Sequence, residues 1–232
     1  SCIAMVFAMD GANLVTVEGL KDAEEGADNY TEVQCSMIRN FGGQCGFCTP
    51  GFVMSITSMF ETKSSQKSSQ KSSQNRSEQN VKNHLTGNLC RCTGYQPIIK
   101  AALDVNLEKH VLVKHKFPPI DLSNQMKNEI FIATPDCDYY APRTLQRACD
   151  YLTKNTEVQI YSGGTDLGVQ INKAFIKPKK ILSLHLIEEL YTLKNENSQV
   201  WVGARVSLTE LQKFIQDKIP SMDHFLNIFA SP

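Results

Sequence analysis

The sequence predicts a two-part α+β protein, a small helical bundle followed by an α/β domain. Three observations carry this. Between residues 30 and 107, apolar side chains recur at helical spacing in four short stretches. From about Ile130 onward, strand-like runs alternate with capped amphipathic helices, the pattern of an α/β domain. Residues 108–128, with Pro118-Pro119 and mixed polar side chains, read as a linker between the two.

Composition limits what the protein can be. A chain of 232 residues allows one large domain or two modest ones, each able to bury a core. Twenty-four basic residues balance twenty-four acidic ones, so charge gives no case for a nucleic acid or an anionic membrane as partner. No apolar run approaches membrane-spanning length, and no signal peptide is visible. Four of the eight cysteines fall into two close pairs, which argues for metal ligation in a reducing, cytoplasmic setting rather than a secreted disulfide scaffold. The chain opens on Ser1 and reads as already mid-domain, so a fragment or processed piece is expected.

Residues 1–20 look like strands around a turn at Asp10-Gly11. Residues 30–41 read as a helix capped by Thr31, with Val33, Met37, Ile38 and Phe41 on one face and Gly42-Gly43 at its end. Cys35, inside it, reads as packing. Pro50 opens a second helix carrying Phe52, Ile56, Met59 and Phe60 inward. KSSQKSSQKSSQ, 63–74, has no apolar residue and is expected to be solvated, part of a low-complexity insert over 63–80. Residues 79–86 and 96–107 are two further helices, the second with Ile98, Ile99, Ala102 and Leu103 turned inward. In the second half, FIATP is strand-like. Thr144 caps a helix that points Leu145, Ala148, Cys149 and Leu152 inward. Then come a strand before Gly163-Gly164, a helix opening at Thr165-Asp166, strands in KKILSL and VWVGARV, and a capped helix in SLTELQKFIQDK.

The chemistry concentrates in QCGFCTPG, 44–51, and GNLCRCTGY, 87–95. Cys45 and Cys48 form C-x2-C, and Cys90 and Cys92 form C-x-C. The glycines around them let the backbone wrap closely round something bulky. Four thiolates suit a zinc ion or a [2Fe–2S] cluster, and two disulfides are a third possibility. C-x-C is unusual for zinc, and Phe47, Leu89 and Tyr95 suit a cluster shielded from water. A second candidate is Gly163-Gly164 between a strand and a helix start. Such a turn can cradle a phosphate, and it is also an ordinary turn with a helix cap.

These residues also carry a resemblance. QCGFCTPGFVMS followed by GNLCRCTGYQPI closely resembles the second iron–sulfur domain of the molybdenum hydroxylases, the xanthine dehydrogenase and aldehyde oxidase family. It implies a helical [2Fe–2S] domain over 21–107, with Cys45, Cys48, Cys90 and Cys92 as ligands. IYSGGTDLGVQIN, 160–172, resembles the pyrophosphate-binding segment of the FAD domain that follows in the same family, a fold of the vanillyl-alcohol oxidase type. The FAD domain would then span 129–232. Ile160, Tyr161, Ser162, Gly163, Gly164, Thr165, Asp166 and Leu167 would line the pyrophosphate, and Phe229 would lie close to the flavin. Asp166 would cap the helix or accept from a flavin-side hydroxyl. Gln44 and Cys92 match positions near the pterin.

Residues 1–20 resemble the end of a plant-type ferredoxin domain, in which Cys2 would be a ligand without its three companions. The family continues past residue 232 to a second glycine-rich FAD loop. The resemblance implies an oxidoreductase part that passes electrons from a molybdopterin centre through [2Fe–2S] to FAD and on to NAD. Nothing in the sequence reads as a molybdenum site, so that centre is expected on a partner subunit or a further part. A zinc-stabilised interaction module and a non-functional fragment are the competing expectations.

Overall fold

The computed structural model describes residues 4–21, 30–61, 76–118, 120–121, 128–197, 199–216 and 218–229. Cys2, the KSSQ repeat and part of the 108–128 linker lie outside them. Contacts divide the chain into two units, Asn13–Ile120 with Phe229–Pro232, and Ser1–Ala12 with Asp121–Ile228. Both helices and sheets are present, so the chain is α+β. No helix among the described residues is long and apolar enough to cross a membrane.

The helical unit holds α1 (Glu32–Arg39), α2 (Thr49–Glu61), α3 (Glu78–Leu85), α4 (Gln96–Asp104) and a single turn, α5 (Val113–Lys116). Caps fix the helix starts. Thr31 accepts from the Gln34 amide while Gln34 reaches back to the Thr31 amide, and Ser77 accepts from the Asn80 amide. Proline occupies the first turn of α2 and of α4, where no helical amide bond is lost. Phe52, Ile56, Met59 and Phe60 from α2 meet Val33, Met37, Val81 and Ile98 in one buried core. Ser36, fully buried, donates to the Ala101 carbonyl at 2.7 Å and joins α1 to α4. Residues beyond α4 also pack here: the Val113 amide donates to Glu61 Oε1 at 2.6 Å, and Lys116 donates to the Leu20 carbonyl at 3.1 Å.

The inward face of α1 is shorter than its spacing predicts. Val33 and Met37 are buried, but Ile38 and Phe41 are 61% and 81% exposed. The helix stops early. Phe41 itself takes the left-handed backbone, with φ +54°, and the Gly42 amide folds back to the Met37 carbonyl at 2.8 Å. A Cβ on Gly42 would fall 2.7 Å from the Met37 sulfur, so glycine here lets Met37 enter the core. The described part of residues 1–20 also differs from expectation. The turn at Asp10-Gly11 is present, but its flanks are 3-10 turns at Val6–Met9 and Glu18–Leu20 rather than strands.

Among the described residues of this unit, one carboxylate is buried. Glu32, whose side chain is 7% exposed, accepts from Arg39 at 2.7 Å and from the Asn106 amide at 3.1 Å. Burial pushes its carboxyl up, but the Arg39 guanidinium and the Asn106 amide outweigh burial and hold it below its ordinary 4.5. Glu32→Gln leaves the half-exposed guanidinium with only Asp104, at 3.5 Å, as a charged partner and is expected to cost ~1 kcal/mol. A depressed folded pKa means that the stabilisation is present above the ordinary value of 4.5 and is lost as pH falls through the folded one. Urea unfolding should therefore separate wild type from variant at neutral pH and bring them together well below 4.5. A gap that does not change with pH would contradict this account.

The second unit is built on a four-stranded mixed sheet of order β1-β2-β4-β3, from Ile130–Ala133, Asp138–Ala141, Lys180–Ser183 and Val158–Tyr161 respectively. β1 runs antiparallel to β2, while β2 and β3 each run parallel to β4. α6 (Leu145–Lys154) joins β2 to β3, and α7 (Leu167–Asn172) joins β3 to β4. β4 is central and its side chains divide the core. Ile181 packs with Tyr139, Ala141 and Tyr161, and Leu182 packs with Ala148 and Ile187. Phe7 closes the first cluster, its ring centroid 4.0 Å from that of Tyr139.

Thr144 caps α6, but that helix buries Ala148 with Tyr151 beside it. Leu145, Cys149 and Leu152 face outward, contrary to the expected stripe. A separate hairpin, β5 (Leu193–Glu196) with β6 (Gln199–Val202), precedes α8 (Leu208–Ile215) and α9 (Pro220–Ile228). The strands β2 and β5 and the helix α9 are additions to the elements expected from sequence.

Candidate metal centre and anion-binding loop

The two cysteine loops lie at neighbouring helix ends. The first runs from α1 into α2, and the second from α3 into α4. Asn88 ties them together. Its amide donates to Ser55 Oγ on α2 at 2.6 Å, and a Cβ on Gly51 would fall 2.7 Å from Asn88 Oδ1. Tyr95 steadies the second loop: its hydroxyl accepts from the Cys90 amide at 3.1 Å, and its ring meets Phe52 edge-on. Gly46 and Gly94 take left-handed φ of +83° and +69°, and a Cβ on either would meet nothing in the chain within 4 Å.

The thiols pair across the loops rather than within them. Cys92 Sγ lies 3.4 Å from Cys45 Sγ, and Cys48 interacts with Cys90. All four are free of disulfides. Among the described residues no group of three or more His, Cys, Asp or Glu is arranged to hold a metal ion; the sulfurs come in twos. Cys45 and Cys92 are exposed, while Cys48 and Cys90 pack against the helical core.

The loop itself eases ionisation at two positions. The Thr93 hydroxyl, 3.1 Å from Cys90 Sγ, together with the Thr93 amide lowers the Cys90 thiol to about 7. The Phe47 amide, then Cys92, lowers Cys45. Burial, then Cys90, raises Cys48, and the bond to Cys45 raises Cys92. Four thiols from two loops, two already biased toward thiolate, fit a cluster with two sulfurs on each iron. Phe47 and Leu89, however, are 95% and 81% exposed, so within this chain they do not shield the sulfurs. Gln44 is exposed beside Cys45 and borders a groove of about 570 Å3 together with Met37, Phe41 and Val53.

In the other unit, Ser162–Gly164 follows β3 at the carboxyl end of the parallel pair β3–β4, where Tyr161 is opposite Ser183. Open α/β sheets bind ligands at such ends. The two glycines are not equivalent. Gly163 faces open space. Gly164 has φ +72°, and a Cβ there would fall 2.2 Å from the ring of buried Tyr161. Asp166 occupies the cap position of α7 without capping it; its carboxylate accepts instead from Gln170 Nε2 at 2.6 Å. Ile160 and Thr165 are exposed, and Leu167 packs against the Tyr139 cluster.

Comparison with known proteins now bears on both loops. Residues 16–103 match the [2Fe-2S] binding domain, and residues 133–232 match the FAD binding domain in molybdopterin dehydrogenase. Xanthine dehydrogenase of Drosophila subobscura is 25% identical over 264 residues, 96% of this chain and 19% of the relative. Aldehyde oxidase 3 of Mus musculus is 24% identical over 261 residues, 94% of this chain and 19% of the relative. The chain thus carries a [2Fe-2S] binding domain followed by an FAD binding domain of the molybdopterin dehydrogenase type, is similar to xanthine dehydrogenases and aldehyde oxidases, and spans about a fifth of the length of these relatives. Among solved structures, quinoline 2-oxidoreductase from Pseudomonas putida 86 shares 36% identity over 38% of this chain and 46% of its own, with a TM-score of 0.30.

Of the residues the family resemblance implies, the structure brings the four cysteines together beside Gln44 and gathers 160–167 into one strand-turn-helix segment. Phe229, 52% exposed, is grouped by its contacts with the helical unit, whereas that segment belongs to the other unit. Sequence reasoning missed Thr93 and Asn88. Thr93, three residues after Cys90, carried a readable signal, a hydroxyl within reach of a candidate ligand sulfur.

Proposed function

We propose that this chain is the electron-transfer part of a xanthine dehydrogenase-like molybdenum hydroxylase, acting in the cytoplasm. The observation that carries the reading is the gathering of four thiols from two loops into two cross-loop pairs, on a chain matching both cofactor domains. Cys45 and Cys92 would hold one iron, and Cys48 and Cys90 the other. A bound cluster would supply one-electron transfer, and a bound flavin would supply two-electron redox capacity. The chain's own residues hold and tune the sulfurs: Thr93 stabilises Cys90 as thiolate, the Phe47 amide does the same for Cys45, and Gly46 and Gly94 keep Cβ atoms out of the space beside them.

Residues 160–167 would carry the FAD pyrophosphate, with Phe229 near the flavin, in a domain of the vanillyl-alcohol oxidase type. Gln44 and Cys92 would face a molybdopterin carried by a partner subunit or a further part of the enzyme, and NAD would be the final acceptor. Exposed Phe47 and Leu89 beside the thiols are the kind of surface that such a partner would cover. The purified chain tests this directly. Iron and acid-labile sulfide should each approach two per chain, with red-brown absorption and bound flavin. A colourless, zinc-loaded protein would overturn the cluster reading.

A further inference from the structure

Arg205 lies in the turn between β6 and α8, and its side chain reaches the residue just before the glycine pair. Its Nη1 donates to the Ser162 carbonyl, and the Ser162 hydroxyl donates to the Ala204 carbonyl at 3.0 Å. Ser162 is thus held by both its main chain and its side chain. The arginine is itself braced. Its Nε and Nη2 donate to the Tyr191 hydroxyl at 3.2 and 3.1 Å, and that hydroxyl donates to the His185 carbonyl at 2.9 Å. One donor and two acceptor positions are all that a phenolic oxygen has, so every position is used. The backbone fixes the same geometry. The Arg205 amide donates to the Leu190 carbonyl at 2.9 Å, and a Cβ on Gly203 would fall 2.1 Å from that oxygen. Only glycine at 203 lets the turn approach so closely.

We infer that Arg205 is a positioning residue: through Ser162 and Tyr191 it fixes where the Gly163-Gly164 turn presents its amides, and so how tightly that turn holds a pyrophosphate. The clamp stands on the contacts above. Its effect on FAD rests on the flavin reading of the previous subsection. A guanidinium spent on a carbonyl and a hydroxyl does not itself neutralise a phosphate; it removes motion from the loop that would bind one.

The test uses the full chain. The Gly168 amide, which donates to the Gly164 carbonyl at 2.8 Å, reports local opening of the loop by hydrogen exchange. In Arg205→Ala that amide should exchange about tenfold faster, and FAD should bind about tenfold more weakly. Arg205→Lys should recover only part of both effects, because an ammonium can reach Ser162 but cannot keep the paired bond to Tyr191. Tyr191→Phe, which removes only the brace, should give a smaller change of the same kind. Amides of β4 and α2 should keep wild-type protection throughout.

The inference fails if Gly168 exchange is unchanged in both Arg205→Ala and Tyr191→Phe. It also fails if protection is lost evenly across the α/β unit in both, or if exchange accelerates while the FAD Kd stays the same. A chain that takes up no FAD even as wild type sinks the flavin reading instead, and the exchange data alone then decide the clamp.

Discussion

Replacing any one of Cys45, Cys48, Cys90 or Cys92 by alanine is expected to remove nearly all visible absorption from the cluster-loaded chain. Each proposed iron takes one sulfur from each loop, so every substitution leaves an iron with a single protein thiolate and an open side. Loss of a partner that merely orients a ligand costs ~10–100-fold in metal affinity, and loss of the ligand itself should cost more. Thr93→Val supplies that lesser case. It removes the hydroxyl 3.1 Å from Cys90 Sγ but leaves the sulfur, so it should lower cluster retention without abolishing it.

The remaining described cysteines are the controls. Cys35 Sγ donates to the Tyr30 carbonyl within the helical unit, and Cys137 and Cys149 belong to the other unit. Their alanine variants should stay coloured. Far-UV circular dichroism separates loss of the cluster from loss of the bundle. Bleaching of Cys35→Ala as complete as that of Cys45→Ala would show the ligand set to be wrong.

What the sequence disclosed follows from how much of each element's environment is local. The α2 stripe was readable because Phe52, Ile56, Met59 and Phe60 all face one core built from the neighbouring helices. The cysteine loops were readable because short spacing and glycine are chemical constraints in themselves. Their cross-loop pairing was not, since spacing within a loop says nothing about distances between loops. β2 was missed because it begins at Asp138 and has two tyrosines in its centre; only register against β4 buries Tyr139. β5, Leu193–Glu196, has hardly any apolar alternation and exists through its pairing with β6. On α6 the expected stripe failed because the sheet accepts Ala148 and Tyr151 at a close approach, which turns Leu145 and Leu152 outward. The glycine pair looked uniform in sequence, and only the position of the Tyr161 ring separates its two members.

That separation sets the second large effect. Gly163→Val should cut the FAD retained per cluster at least ~10-fold while leaving the α/β unit folded. No left-handed backbone is required at Gly163, and a Cβ there meets nothing in the chain within 4 Å. Any penalty must therefore come from what the loop binds. Gly164 cannot serve as the same probe. Its φ of +72° disfavours a side chain, and the new Cβ would enter the ring of Tyr161, which is 3% exposed and packed edge-on against Phe7 at 5.1 Å. Overpacking of that kind costs ~1–3 kcal/mol before the backbone strain is added. Gly164→Val should thus lose flavin together with thermal stability of the unit, and flavin loss in that variant says nothing about phosphate contact.

Asp166→Asn should do little to either. Asparagine keeps an oxygen to accept from Gln170, and the carboxylate is not capping α7. The readings are flavin per iron after gel filtration and the melting temperature of each variant. Gly163→Val with wild-type flavin content would take the pyrophosphate away from this loop and leave Gly163-Gly164 as the turn that lets α7 begin beside Tyr161.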